Sequence, residues 1–103
     1  MDQIKEKIKG HIKNQEYTIA LEDLNELLLS DSDNIDWLTF RGDIYNLKQE
    51  YGKALNDYNR VLKIESDNKI VRSKIEIIKD ILKFQNLDIF ESTNLNKDPW
   101  LDD

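Results

Sequence analysis

The sequence predicts an all-α fold of two stacked helix–turn–helix units followed by a fifth helix. Three observations predict it. The stretch "QEYTIALEDL" at 15–24 returns as "QEYGKALNDY" at 49–58, 34 residues later, and a fixed period of that size marks stacked supersecondary units. Apolar residues recur at helical spacing through 35–47, 51–64 and 69–85. Three Gly and one Pro in 103 residues are fewer than turn-rich β folds use.

One domain with its own core fits this length. Cysteine is absent, so disulfides and thiolate metal sites are not expected. Twenty-one acidic residues against fifteen Lys and Arg give a net charge of −6, which repels phosphate backbones and argues against nucleic acid as a partner. The opening "MDQIKEKIKG" carries charges throughout and lacks the apolar core of a signal peptide. No stretch approaches the roughly 18 uninterrupted apolar residues of a membrane span. The cytoplasm is therefore the expected location.

Aligned without a gap, residues 1–34 and 35–68 share twelve identities. They include Gln15/Gln49, Glu16/Glu50, Tyr17/Tyr51, Ala20/Ala54, Asp23/Asp57 and Leu28/Leu62. Ile4/Leu38, Lys7/Arg41, Leu24/Tyr58 and Leu27/Val61 are conservative pairs. Within the second unit, Leu38, Gly42 and Tyr45 recur at i, i+4 and i+7, and Tyr51, Ala54, Leu55, Tyr58, Val61 and Leu62 form a second apolar stripe. The polar "KQE" between them is short, as an antiparallel helix pair requires. "DSDN" and "ESDN" follow the second helix of each unit, and their Asp, Ser and Asn side chains suit a helix stop followed by an N-cap.

These residues resemble the tetratricopeptide repeat, a 34-residue helix–turn–helix unit with set positions for large and small side chains. Leu38, Gly42, Tyr45, Tyr51, Ala54, Tyr58 and Leu62 fall on that pattern in the second unit. Tyr17, Ala20, Leu24 and Leu28 do so in the first, where Ile8 replaces the small residue and His11 the aromatic. The resemblance implies an α-solenoid of repeats 1–34 and 35–68, and Ala54 facing Gly42 where the helices of the second unit cross. Residues 69–85 then occupy the first-helix slot of a third unit and act as a capping helix, which a solenoid needs at its open end. The run "DILKFQNLDI" also resembles the close of small stand-alone bacterial tetratricopeptide proteins.

Val71, Ile75, Ile78 and Leu82 form the stripe that packs on the second unit. Ile70, Ile77, Ile81 and Phe84 form another, on a side that nothing in the repeats covers. Residues 87–103 hold Leu87, Ile89, Phe90, Leu95, Trp100 and Leu101, more apolar bulk than disordered tails carry. The expected organisation is a repeat domain over 1–86 and a partly docked tail over 87–103. Residues 87–101 are expected to fold back on the second stripe with Phe90 and Trp100 as anchors, or to cross to a second chain.

No catalytic constellation is legible. His11 is the single histidine, and no Cys or Ser nucleophile accompanies it in sequence; packing in the place of Tyr45 is its expected role. "DSDNID" and "ESDN" lack the Gly and distant Glu of a calcium loop. No metal site, cofactor or enzymatic activity is expected.

Lys5, Lys9 and Lys13 lie at i, i+4 and i+8 on one line of the first helix. They read either as a solvated face or as a basic rail for an acidic peptide or a peptide C-terminus. The resemblance implies a concave groove in which this line opposes Asp36, Thr39, Phe40, Asp43, Asn46 and Leu47, with Ile70, Ser73, Lys74 and Ile77 beyond. Chaperone-binding members of the family hold a terminal carboxylate with a defined set of Lys, Asn and Arg residues. Here Phe40 and Ile70 stand at two of those positions and the set is incomplete. The expected function is a non-catalytic module binding a peptide or helix. The alternative is a self-associating protein that dimerises through helix 69–85 and the tail.

Overall fold

A computed structural model describes residues 2–91. They form helices α1 (Asp2–Lys13), α2 (Tyr17–Ser30), α3 (Ile35–Leu47), α4 (Tyr51–Ile64) and α5 (Lys69–Glu91), and no strand occurs among the described residues. Each helix packs on the next in sequence, most extensively α3 on α4.

The sequence repeat is also a repeat of turns. At the end of α1, Gln15 N–H donates to Ile12 and Glu16 N–H to His11; at the end of α3, Gln49 donates to Asn46 and Glu50 to Tyr45. This double bond pattern satisfies the last carbonyls of a helix when the intervening residue is left-handed. Gln15 and Gln49 accordingly have φ of 62° and 63°. The longer links match too. Asn34 accepts from Trp37 N–H at 3.0 Å, and Asn68 from Val71 N–H at 3.0 Å. The expected stops and caps are therefore present in "DSDN" and "ESDN".

The core runs unbroken from Ile8 on α1 to Leu82 on α5. α3 packs on both α2 and α4, so one apolar stripe does not suffice for it. Trp37 and Ile44 are buried in addition to Leu38 and Gly42, whereas Tyr45 is half-buried. Ala54 is fully buried, but it is not what Gly42 faces. A Cβ at position 42 would lie 2.7 Å from Cε1 of Tyr58; the ring takes the room that glycine leaves. In the first unit the equivalent positions hold Ile8 and Leu24, both buried. A larger residue on the first helix there accompanies a smaller one on the second.

A polar tie joins three helices. Arg41 donates from Nε and a terminal nitrogen to the two carboxylate oxygens of Asp57, at 2.9 and 2.8 Å, and from its other nitrogen to Asn25 at 2.9 Å. Asp57 is only 5% exposed, and its bond holds the guanidinium above its ordinary pKa. The equivalent pair in the first unit, Lys7 and Asp23, approaches to 4.0 Å and is more exposed. The point charge of lysine reproduces the pairing without the two-pronged geometry.

On α5, Val71, Ile75, Ile78 and Leu82 are buried as that helix packs on α4. Ile70, Ile77 and Phe84 are exposed. The helix continues to Glu91, six residues past the expected end, because neither Gly nor Pro interrupts the chain between 53 and 98. This overturns the expected fold-back for residues 87–91. The expected anchoring role of the Phe90 side chain lies outside what is described. Trp100 and the rest of 92–103 lie outside the described residues.

Gly42→Ala gains helix propensity of about 1 kcal/mol but forces the ring of Tyr58 to move, which costs about 1–3 kcal/mol in a packed core. The expected net effect in urea denaturation is destabilisation, smaller in the background of Tyr58→Leu; equal cost in both backgrounds contradicts this pairing. Gln49→Gly removes a left-handed strain of about 1–2 kcal/mol and returns about 0.4–1 kcal/mol through the unfolded chain. A raised melting temperature is the expected result.

Candidate functional site

α1 and α3 supply the residues of one exposed recess. It has a volume of about 440 Å³ and is lined by Lys9, Ile12, Lys13, Phe40, Asp43, Asn46 and Leu47. The ends of α1 and α3 thus face each other here. Helical spacing explains the α3 side, since 40, 43, 46 and 47 lie on one face. Leu47 is 55% exposed, and Phe40 is half-buried beside Trp37, the ring centroids 6.1 Å apart.

The sequence-derived residues divide into three groups. Lys9, Lys13, Phe40, Asp43, Asn46 and Leu47 come together in the recess. Lys5 and Asp36 pair with each other at 2.9 Å, bridging α1 and α3. Lys74 and Ile77 do not line the recess; Lys74 reaches its edge by donating to Asp43 at 2.7 Å, and Ile77 is exposed on α5. Ile12 was missed. It continues the i, i+4 series of Ile4 and Ile8, and that spacing was the available signal.

Asp43 is the best-held group of the groove. It accepts from Lys74 on α5 and from the hydroxyl of Tyr58 on α4, and the Lys74 ammonium lies 6.0 Å from the centre of the Tyr58 ring. Tyr58 is fully buried. Burial first, and then the bond to Asp43, push its phenol far above the ordinary value.

The lysine line carries its charges differently. Lys9 makes an exposed contact with Glu6 at 3.6 Å, of a kind worth little in water. Lys13 is exposed and makes no ion pair with another described residue. At the neighbouring turn, His11 Nδ1 and Glu16 Oε1 are 2.8 Å apart, while Nε2 is buried without a hydrogen-bond partner among the described residues. Glu16 thus orients the imidazole through a contact that the sequence reading did not anticipate. At the equivalent turn, Lys53 lies over the Tyr45 ring at 5.5 Å. There Glu50, bonded to Lys53 and Lys48, is held below the usual carboxylate range.

A second recess, of about 350 Å³, opens on the outer face of the first unit among Ile4, Lys7, Ile8, Asp23, Glu26, Leu27 and Ser30. In the second unit, α2 contributes Asn25 at the corresponding Arg41–Asp57 pair. No group of three or more His, Cys, Asp or Glu among the described residues is arranged to hold a metal ion. No helix of the described residues is long and apolar enough to cross a membrane. Comparison of the chain with protein-family models, with curated proteins and with solved structures finds no match.

The tie at Tyr58 has a pH signature. Above about pH 10 the unfolded chain loses a tyrosine proton that folded Tyr58 keeps. The unfolded state then binds fewer protons, so stability is full below that pH and falls as pH rises. Urea denaturation from pH 8 to 11 is expected to show the parent losing about 1.4 kcal/mol per pH unit relative to Tyr58→Phe above about pH 10. Parallel curves contradict the buried phenol.

Proposed function

We propose that the chain is a tetratricopeptide-type solenoid that works without catalysis, binding an acidic peptide or helix with one apolar anchor in its groove. The observation that carries the reading is the recess itself, lined by Lys9, Ile12 and Lys13 from α1 and by Phe40 and Leu47 from α3. Support for the solenoid comes from turns and caps that recur 34 residues apart with the same hydrogen bonds. Apolar walls reward one large side chain by about 1.5–3 kcal/mol on burial, and exposed lysines speed the encounter with an acidic ligand. The pairing of Asp43 with Lys74 and Tyr58 keeps one acid of the groove from repelling such a ligand.

Fluorescence anisotropy with synthetic peptides tests this. An acidic peptide containing Trp is expected to bind, and the same peptide with Lys in place of its acids is not. Lys9→Glu with Lys13→Glu is expected to weaken binding about tenfold or more, equivalent to about 1.4 kcal/mol, and salt to slow association. Unchanged affinity in that double variant removes the groove as the site.

A further inference from the structure

The second unit shows what covers the outer face of a unit: there the cover is α2. Asn25 of α2 accepts from Arg41, Asp33 in the link after α2 accepts from Arg60, and Leu28 lines one recess with Leu38 and Arg41. Leu38 is left 1% exposed. The equivalent positions of the first unit, 34 residues earlier, hold Ile4, Lys7 and Glu26. These line the open recess of about 350 Å³ on the outer face of the first unit. Ile4 is 37% exposed. The Lys7 side chain is exposed, with Asp23 at 4.0 Å. Glu26 is exposed and makes no ion pair with another described residue.

We propose that this recess is a second binding surface, and that its occupant is an amphipathic helix of another protein, docked as α2 docks on the second unit and followed by a basic residue.

The repeat sets the chemistry of that helix. Lys7 keeps the cation of Arg41 and is only loosely held by Asp23, so the helix presents an acceptor to it, as Asn25 does to Arg41. Three residues further on it presents a large apolar side chain to Ile4, in the place of Leu28; residues at that spacing share one helix face. The charge beyond is reversed. Glu26 stands where the second unit has Arg60, so the partner supplies Lys or Arg where the link after α2 supplies Asp33. A second copy of this chain is a poorer match. Its α2 and α4 are already packed on α3 and α5, and the residues equivalent to the required cation are Asp33 and Asp67, which Glu26 repels. The recess shares no lining residue with the groove between α1 and α3, so this surface stands or falls independently of that one.

The test uses the full chain and two labelled synthetic peptides, both copies of residues 17–34, one of them with Asp33→Lys. In fluorescence anisotropy the substituted peptide is expected to bind about tenfold tighter than the unsubstituted one. Glu26→Arg in the protein is expected to invert that order. Glu22→Arg makes the same change in net charge outside the recess lining and is expected to leave the order as it was. Ile4→Ser, with an unchanged far-UV spectrum, is expected to weaken the substituted peptide about tenfold.

Equal affinity of the two peptides, or an order that Glu26→Arg leaves unchanged, overturns the proposal. So does binding that survives Ile4→Ser but is lost in Lys9→Glu with Lys13→Glu, which puts the peptide in the groove. Absence of binding overturns it as well. In that case a dimer that Ile4→Ser dissociates puts a second copy on this face, and Trp100 emission that turns water-like in Ile4→Ser puts the chain's own tail there.

Discussion

The ring of Tyr58 lies where a side chain at position 42 would be, and much of the molecule is arranged around that fact. A glycine inside a helix costs about 0.5–1 kcal/mol relative to alanine. Here it admits a large aromatic side chain that is fully buried in the most extensive helix contact of the fold. The same ring presents its hydroxyl to Asp43, and Asp43 holds Lys74 of α5. One residue thus joins the packing of α3 and α4 to the position of α5 and to the edge of the proposed groove. Core and groove are not separable here.

The two units reach similar backbones by different side chains. Gly42 with Tyr58 is replaced by Ile8 with Leu24, a trade of bulk between facing helices that keeps both positions buried. Arg41 with Asp57 is replaced by Lys7 with Asp23, a trade of a two-pronged, nearly buried tie for a longer and wetter one. The difference follows position in the stack. The second unit has α2 on one side and α5 on the other, so its polar pair is desolvated and must be satisfied by geometry. The first unit leaves its pair beside an open recess, where water supplies what geometry does not.

This division explains which features were legible in the sequence. The bounds of α3 and α4 follow from polar turns that recur with one residue changed in each, and the buried stripe of α5 from its helical spacing. Six of the proposed groove residues fall in one recess because the register of a repeated helix hairpin fixes which face is inward. Trp37 and Ile44 were not singled out, because a helix buried on two sides blurs the single-stripe pattern. The partner of Gly42 was misassigned to Ala54 because small residues on facing helices look complementary in one dimension, while the ring that fills the space sits four residues further on. The end of α5 was placed at 85 because the residues that follow lack a helical period and are rich in Asn, Asp and Ser. Weak helix formers cost only tenths of a kcal/mol each and do not stop a helix as proline does.

Charge gives the groove its meaning as a proposed binding surface. A chain of net charge −6 repels acidic ligands over most of its surface, so a local positive site must come from acids being spent on internal pairs. That is the arrangement along α3: Asp36 is committed to Lys5 and Asp43 to Lys74 and Tyr58. What remains facing the recess is Lys9, weakly held, and Lys13. The lysine line read as a single rail in the sequence is therefore two kinds of residue. Lys5 ties α1 to α3, while Lys9 and Lys13 line the recess with no described partner beyond the exposed contact of Lys9 with Glu6. In the proposed reading a substitution at Lys5 acts on the relation between the helices, and one at Lys13 on the proposed ligand.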